Sequence, residues 1–171
     1  MTVRLLAFSG STRKGSLNQA LVDLAAAEAR ARGAEVTAIR LSDFNLPVYD
    51  GDLEAAGFPP AAMELQDLLR AHHGGTRPAG VHPMVSGFRN KVAGIMGASI
   101  SPFGTLRSLT HLRHILSTIQ TVVATEQVMV PFASAAFAED GSLKDPMAAG
   151  LLGAMVARVI DLCERLEPPV S

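Results

Sequence analysis

Ser9, Gly10, Ser11, Thr12, Arg13, Lys14, Gly15, Ser16 and Asn18 fall within the ten residues SGSTRKGSLN. Hydroxyl and small residues around one guanidinium make a set of donors suited to an anion. Arginine offers a planar fork matched to phosphate oxygens. A helix beginning at this point adds backbone N–H groups without intrahelical partners and a partial positive charge. Gly10 and Gly15 have the spacing of the nucleotide-hydrolase loop G-x-x-x-x-G-K-[ST], but Ser16-Leu17 stands where Lys-Ser/Thr belongs. The dinucleotide pattern G-x-G-x-x-G also fails, because Ser11-Thr12 follows Gly10. Helix capping by Ser16 or Asn18 explains a polar residue at a helix start, but it does not call for Arg13 in the same turn. The stretch reads as a cradle for a monophosphate rather than a di- or triphosphate.

The elements that must position this cradle are legible on both sides of it. Val3 with Leu5 to Phe8 has the length and composition of a buried strand. From about Ser16 to Arg32 an amphipathic helix presents Leu17, Leu21, Leu24, Ala25 and Ala31 on one face, and Gly33 ends it. Glu35 to Leu41 alternates as a second strand, Asp43 to Pro60 is a loop, and Pro60 to His72 is a helix with Met63, Leu65, Leu68 and Leu69 as its apolar side. Lys91 to Met96 is a strand leading into a second small-residue turn, Gly97 to Gly104. A helix over Thr105 to Ile119, a strand over Thr121 to Thr125, an extended piece over Val128 to Pro131, and a loop to Asp145 follow. Pro146 then opens a terminal helix through Leu166. The order β-α-β-α-(missing)-β-α-β-α predicts one three-layer α/β domain over residues 1–171, a doubly wound parallel sheet. Both turns follow strands, so both fall on the carboxyl edge where such sheets hold ligands.

The pattern breaks between His73 and Gly87, HGGTRPAGVHPMVSG, where neither period is present. A third strand and a crossover helix belong here, and Pro83 demotes Val81 to Ser86 from an interior strand. Residues 72–88 are therefore irregular, with the third strand missing or replaced. Either the first strand and the strand after the break become neighbours in a four-stranded sheet, or a partner chain fills the place.

Composition bounds the function. The 171 residues are 48% hydrophobic and 18% charged, with 15 basic and 16 acidic residues giving a net charge of −1. This is a globular balance with no signature of a nucleic-acid or membrane surface. Cys163, the only cysteine, rules out a disulfide within the chain and reads as a packed core thiol. No basic and apolar leader opens the sequence, and no apolar run approaches membrane-spanning length, so a cytoplasmic protein is expected. His111 and His114 are three apart on a basic helix face without a placed third ligand. His72, His73 and His82 have no acidic or thiol neighbours, so no metal site is expected.

GSTRKGSLN resembles the G-S-x-R-x-x-S-x-N phosphate loop of the NADPH-dependent FMN reductase family, the flavodoxin-like quinone, azo and chromate reductases. Leu46-Pro47-Val48-Tyr49-Asp50 with Asp52 resembles that family's L-P-x-Y-x-x-D stretch, and Lys91 to Gly94 with Gly97-Ala98-Ser99 resembles its fourth strand and G-A-S turn. The resemblance implies a flavodoxin-like fold in which Ser9, Gly10, Ser11, Arg13, Ser16, Leu17 and Asn18 hold the FMN phosphate. Ser99 to Gly104, with Pro102 and Gly104 among them, then flank the ribityl chain and ring. It implies hydride transfer from NADPH or NADH to flavin, and from flavin to a quinone, azo compound or other small-molecule electron acceptor. The hard chemistry is the cofactor's, and no catalytic acid or base is assigned. It also implies a homodimer or homotetramer. The family's P-E-Y-N-G-S-type loop that holds the flavin ring has no counterpart in the broken stretch. Two other readings stand beside this one: the same fold with a degraded site that binds FMN weakly or only a phosphate, and a different phosphate-ligand enzyme.

Overall fold

The computed structural model describes residues 2–72 and 87–166. Strands β1 (Arg4–Ser9) and β2 (Glu35–Arg40) pair in parallel, with Arg4 opposite Glu35 and Ser9 opposite Arg40. Between them runs α1 (Leu17–Ala31), whose start is fixed by Ser16: its Oγ accepts the Gln19 N–H at 3.3 Å. The helix ends in a Schellman arrangement. Gly33, at φ +88°, donates its N–H to Arg30 C=O at 2.9 Å, and Ala34 donates to Ala29 C=O at 3.1 Å. Leu21, Val22, Ala25, Ala26 and Ala29 form its buried stripe.

A second parallel pair, β3 (Val92–Ala98) and β4 (Val122–Val130), is joined by α4 (Leu106–Thr118). The terminal helix α6 (Pro146–Leu166) packs on β3 and β4, while α1 packs on β1, β2 and β3, and the two helices touch. Alternate β3 side chains face opposite ways. Val92, Met96 and Ala98 join the larger core with α1 and α6, whereas Ala93 and Ile95 join Leu109 and Leu116 of α4. Three layers result. Gly94 lets α6 approach β3, since a Cβ there would lie 2.9 Å from Val159 Cγ2. At 21 residues and mean hydropathy 1.5, α6 is long and apolar enough to cross a membrane, contrary to the expectation from sequence. One side of it is spent on the core instead, through Ala148, Leu152, Met155, Val156, Val159 and Cys163.

Several connections differ from expectation. The loop after β2 contains a 3-10 turn (Leu41–Phe44) and the short helix α2 (Gly51–Ala56), capped by Asp50 Oδ1 on Asp52 N–H at 2.9 Å. Helix α3 (Pro60–Ala71) matches expectation in extent, yet none of its residues is fully buried and Met63 is 51% exposed. The two extended pieces expected after α4 are one strand, β4, with a bulge: Ala93 pairs with Val123 and Ile95 with Gln127. Arg113 of α4, expected on a solvated basic face, turns inward. Its guanidinium donates to Ala124 C=O at 2.8 Å and Val123 C=O at 3.3 Å, satisfying the carbonyls the bulge frees. A four-residue helix, α5 (Ala133–Ala136), interrupts the next loop.

The four described strands fall into two parallel pairs. Among the described residues β1 pairs only with β2, and β3 only with β4. A doubly wound sheet of this order places one strand between β1 and β3. Most of the irregular stretch expected there, residues 72–88, lies outside the described residues, which omit 73–86. Helix α1, packed on β1, β2 and β3, spans both strand pairs, and β1 and β3 are not hydrogen-bonded to each other, so the four-stranded sheet with β1 beside β3 considered from sequence is not formed.

Lys91, directly before β3, is buried and donates from Nζ to His72 C=O at 2.5 Å. The His72 ring is itself held by Leu68 C=O at 2.6 Å and Thr37 Oγ1 at 2.8 Å. Burial lowers the Lys91 pKa from its ordinary 10.5 to about 8; Cys163 opposes the shift and the Arg4 charge adds to it. The unfolded chain keeps this proton to higher pH than the folded one, so stability is lowest below pH 8 and rises towards pH 10.5. In urea unfolding, Lys91→Met is expected to be about 1–3 kcal/mol more stable than the parent at pH 7 and to lose most of that rise. A parent stability that stays flat from about pH 8 to 9.5 contradicts the assignment.

Candidate functional site

The turn between β1 and α1 is organised by its own hydroxyls. Ser9 is buried, and its Oγ accepts the Ser11 N–H at 3.1 Å, which folds the chain at Gly10. Gly15, at φ +67°, takes the left-handed conformation that brings Ser16 into the cap position. A Cβ at Gly10 or Gly15 would meet no atom within 4 Å, so the turn opens onto free space. Arg13 and Lys14 are exposed beside that space, and the first turn of α1 carries no acidic residue to offset its positive end. Leu17 packs against the core and anchors the first turn from below.

The second turn, after β3, is pinned to β4. Ser99 donates its N–H to Val130 C=O at 3.0 Å and accepts from Ala133 N–H at 3.0 Å. Within the turn, Ser99 Oγ accepts from Ser101 N–H at 3.2 Å, and Ser101 C=O accepts from Gly104 N–H at 3.1 Å. Gly104 sits at φ +55°, close against β4: a Cβ there would be 3.5 Å from the Pro131 nitrogen. Pro102 is exposed, as are the aromatic rings of Phe103 and Phe132. Phe132 has φ +47°, a strained value for a bulky residue, and the Ala133 N–H bond to Ser99 C=O helps hold it there.

Asn18 connects the two turns. Its Oδ1 accepts the Ala98 N–H at 2.8 Å, and its Nδ2 donates to Ala98 C=O at 3.1 Å. Ser9 through Asn18 and Ser99 through Gly104 thus share one edge. The sequence reading placed Ala98 and Ser101 in the second turn without assigning them a role, and it missed Thr105 as part of this edge. Their roles are backbone bonds or close packing, which residue type does not signal. In the loop after β2, exposed Tyr49 donates from its phenol to Glu54 Oε2 at 3.0 Å, and this bond raises its pKa. His111 and His114 are exposed on α4, and no group of three His, Cys, Asp or Glu side chains suited to a metal occurs among the described residues.

A parallel α/β fold with an open, donor-rich turn after β1 and a second turn after β3 defines a flavodoxin-like protein. Comparison narrows the class. The sequence profile of the NADPH-dependent FMN reductase family matches residues 3–75 and 82–135, omitting part of the broken stretch. The NAD(P)H-dependent FMN reductase PA1204 of Pseudomonas aeruginosa is 32% identical over 169 residues, covering 88% of this chain and 89% of that protein. FerB, a flavoenzyme NAD(P)H:(acceptor) oxidoreductase from Paracoccus denitrificans, superposes with a TM-score of 0.75 at 24% identity, over 96% of this chain and 98% of that one. An oxidoreductase from Corynebacterium diphtheriae gives a TM-score of 0.54 at 19% identity, over 96% and 95% of the chains. The chain belongs to the NADPH-dependent FMN reductase family, flavoenzyme oxidoreductases that use FMN and NAD(P)H.

The residues present fit the phosphate end of FMN: an open turn, a guanidinium beside it and an uncompensated helix start. They also depend on Gly97. A Cβ there would lie 2.8 Å from Thr105 Cβ and 2.7 Å from its methyl, so the second turn folds back only over a glycine. Gly97→Ala is expected to lower stability by about 1–3 kcal/mol in thermal or urea unfolding. An unchanged midpoint would mean that Thr105 does not pack on this glycine.

Proposed function

We propose that this chain is an FMN-dependent NAD(P)H:acceptor oxidoreductase acting on a quinone, azo compound or other small oxidised acceptor. The observation that carries this reading is the open, donor-rich turn Ser9 to Asn18, held by Asn18 against the turn after β3. Arg13 pairs with the FMN phosphate, and the first N–H groups of α1 with Ser11 and Ser16 complete its cradle. Ser99 to Gly104, with Pro102 on the outer side, lie along the ribityl chain and one edge of the ring. The bound FMN supplies the hydride chemistry between NAD(P)H and acceptor. The chain's own task is to hold the phosphate, orient the ring and leave one face open, and no side chain is assigned proton transfer. The protein acts as one domain over residues 1–171, in the cytoplasm, as a homodimer or homotetramer.

The broken stretch His73 to Gly87 supports a second reading, a site that keeps the phosphate cradle and has lost support for the ring. One titration separates the two. FMN added to the purified protein is expected to bind with quenched flavin fluorescence and to bleach when NADPH is added anaerobically. Arg13→Ala is expected to weaken binding by about 1.5–3 kcal/mol, the scale of a charge-assisted contact. A folded protein that binds FMN weakly and does not bleach supports the degraded site, and unchanged affinity of Arg13→Ala removes Arg13 from the cradle.

A further inference from the structure

We infer that Asn18 is a positioning residue that fixes the turn after β3 against the cradle, and that its side chain does not serve as a phosphate ligand. The inference rests on the flavin reading for its consequence and on the Asn18–Ala98 geometry for its cause. The carboxamide of Asn18 meets both polar groups of Ala98, accepting the N–H at 2.8 Å and donating to the C=O at 3.1 Å. One residue exchanging both bonds with another is how a neighbouring strand residue pairs. Here a side chain does so at the end of β3, which among the described residues pairs only with β4. The amide's oxygen faces an N–H and its nitrogen a C=O, so the orientation is set by the partners. These bonds use the oxygen and one of the two N–H donors. Ala98 is buried and immediately precedes Ser99, where the second turn begins. Asn18 is the second residue of α1, two positions past the Ser16 cap. The bonds therefore set the separation of the two turns.

Riboflavin, which lacks the phosphate, distinguishes a clamp from a ligand. Asn18→Ala is expected to weaken FMN and riboflavin by the same factor, roughly tenfold, and to raise amide exchange at Ala98 by a similar factor. Arg13→Ala is expected to weaken FMN alone. Asn18→Asp keeps an acceptor for the Ala98 N–H, so its riboflavin affinity and Ala98 protection should fall between parent and Asn18→Ala. It carries the test if the alanine variant does not fold. Loss of affinity for FMN alone in Asn18→Ala, or Ala98 exchange unaltered in the variants, overturns the proposal. If the parent binds neither flavin, the flavin reading fails, and Ala98 exchange alone then upholds or overturns the clamp.

Discussion

Two hydrogen bonds between the Asn18 amide and Ala98 join the turn after β1 to the turn after β3. The cradle belongs to the β1–α1 unit and the second turn to the β3–β4 unit. Among the described residues, the units share the packing of α1 on β3 and of α1 on α6, with Asn18 at the edge where the two turns meet. Packing resists separation but tolerates sliding, whereas a bidentate hydrogen bond fixes position. The geometry of the edge depends on that difference.

The rest of the molecule is arranged to keep each half rigid. Ser16 and the Gly33 Schellman turn fix both ends of α1, so the cradle's helix cannot fray into the loop it supports. On the other side, Arg113 fills the β4 bulge, and Ser99 bonds to both Val130 and Ala133, so the second turn is built onto a braced strand. Gly94 and Gly97 serve one purpose on opposite faces of β3: Gly94 admits α6 and Gly97 admits Thr105. Lys91 is the costly member of this design, a buried ammonium at the far end of β3 that joins the strand to the end of α3 through His72.

What was legible in the sequence was local. The Ser16 cap, the Gly33 stop, the α1 stripe and Pro146 at the start of α6 are set by residues within a few positions of one another, and the structure repeats them closely. The two turns could be placed at the same edge because strand-turn order alone puts them there. Contacts between residues distant in sequence were not legible. Asn18 and Ala98 are 80 positions apart, and the letter N in a phosphate-loop pattern suggests a ligand rather than a strand surrogate. Arg113 among histidines and a second arginine resembles a solvated face until the β4 bulge supplies carbonyls for it. The bulge itself split one strand into two apparent pieces, because the extra residues shift its period. An apolar α6 satisfies the length of a membrane span and of a core helix alike, and only its packing on β3 and β4 decides.

The central claim is that the turn from Ser9 to Asn18 holds the FMN phosphate against the start of α1. Phosphorus NMR of FMN titrated with the protein tests it most directly. Free FMN phosphate changes its resonance as its second proton leaves near pH 6, about the value for a phosphate monoester. Enclosed by Arg13 and helix N–H groups, the bound phosphate is predicted to stay dianionic, with a shifted resonance that does not move between about pH 5 and 8. A bound flavin whose phosphorus resonance titrates like that of free FMN would contradict the account, placing the phosphate in solvent and the cradle's donors elsewhere.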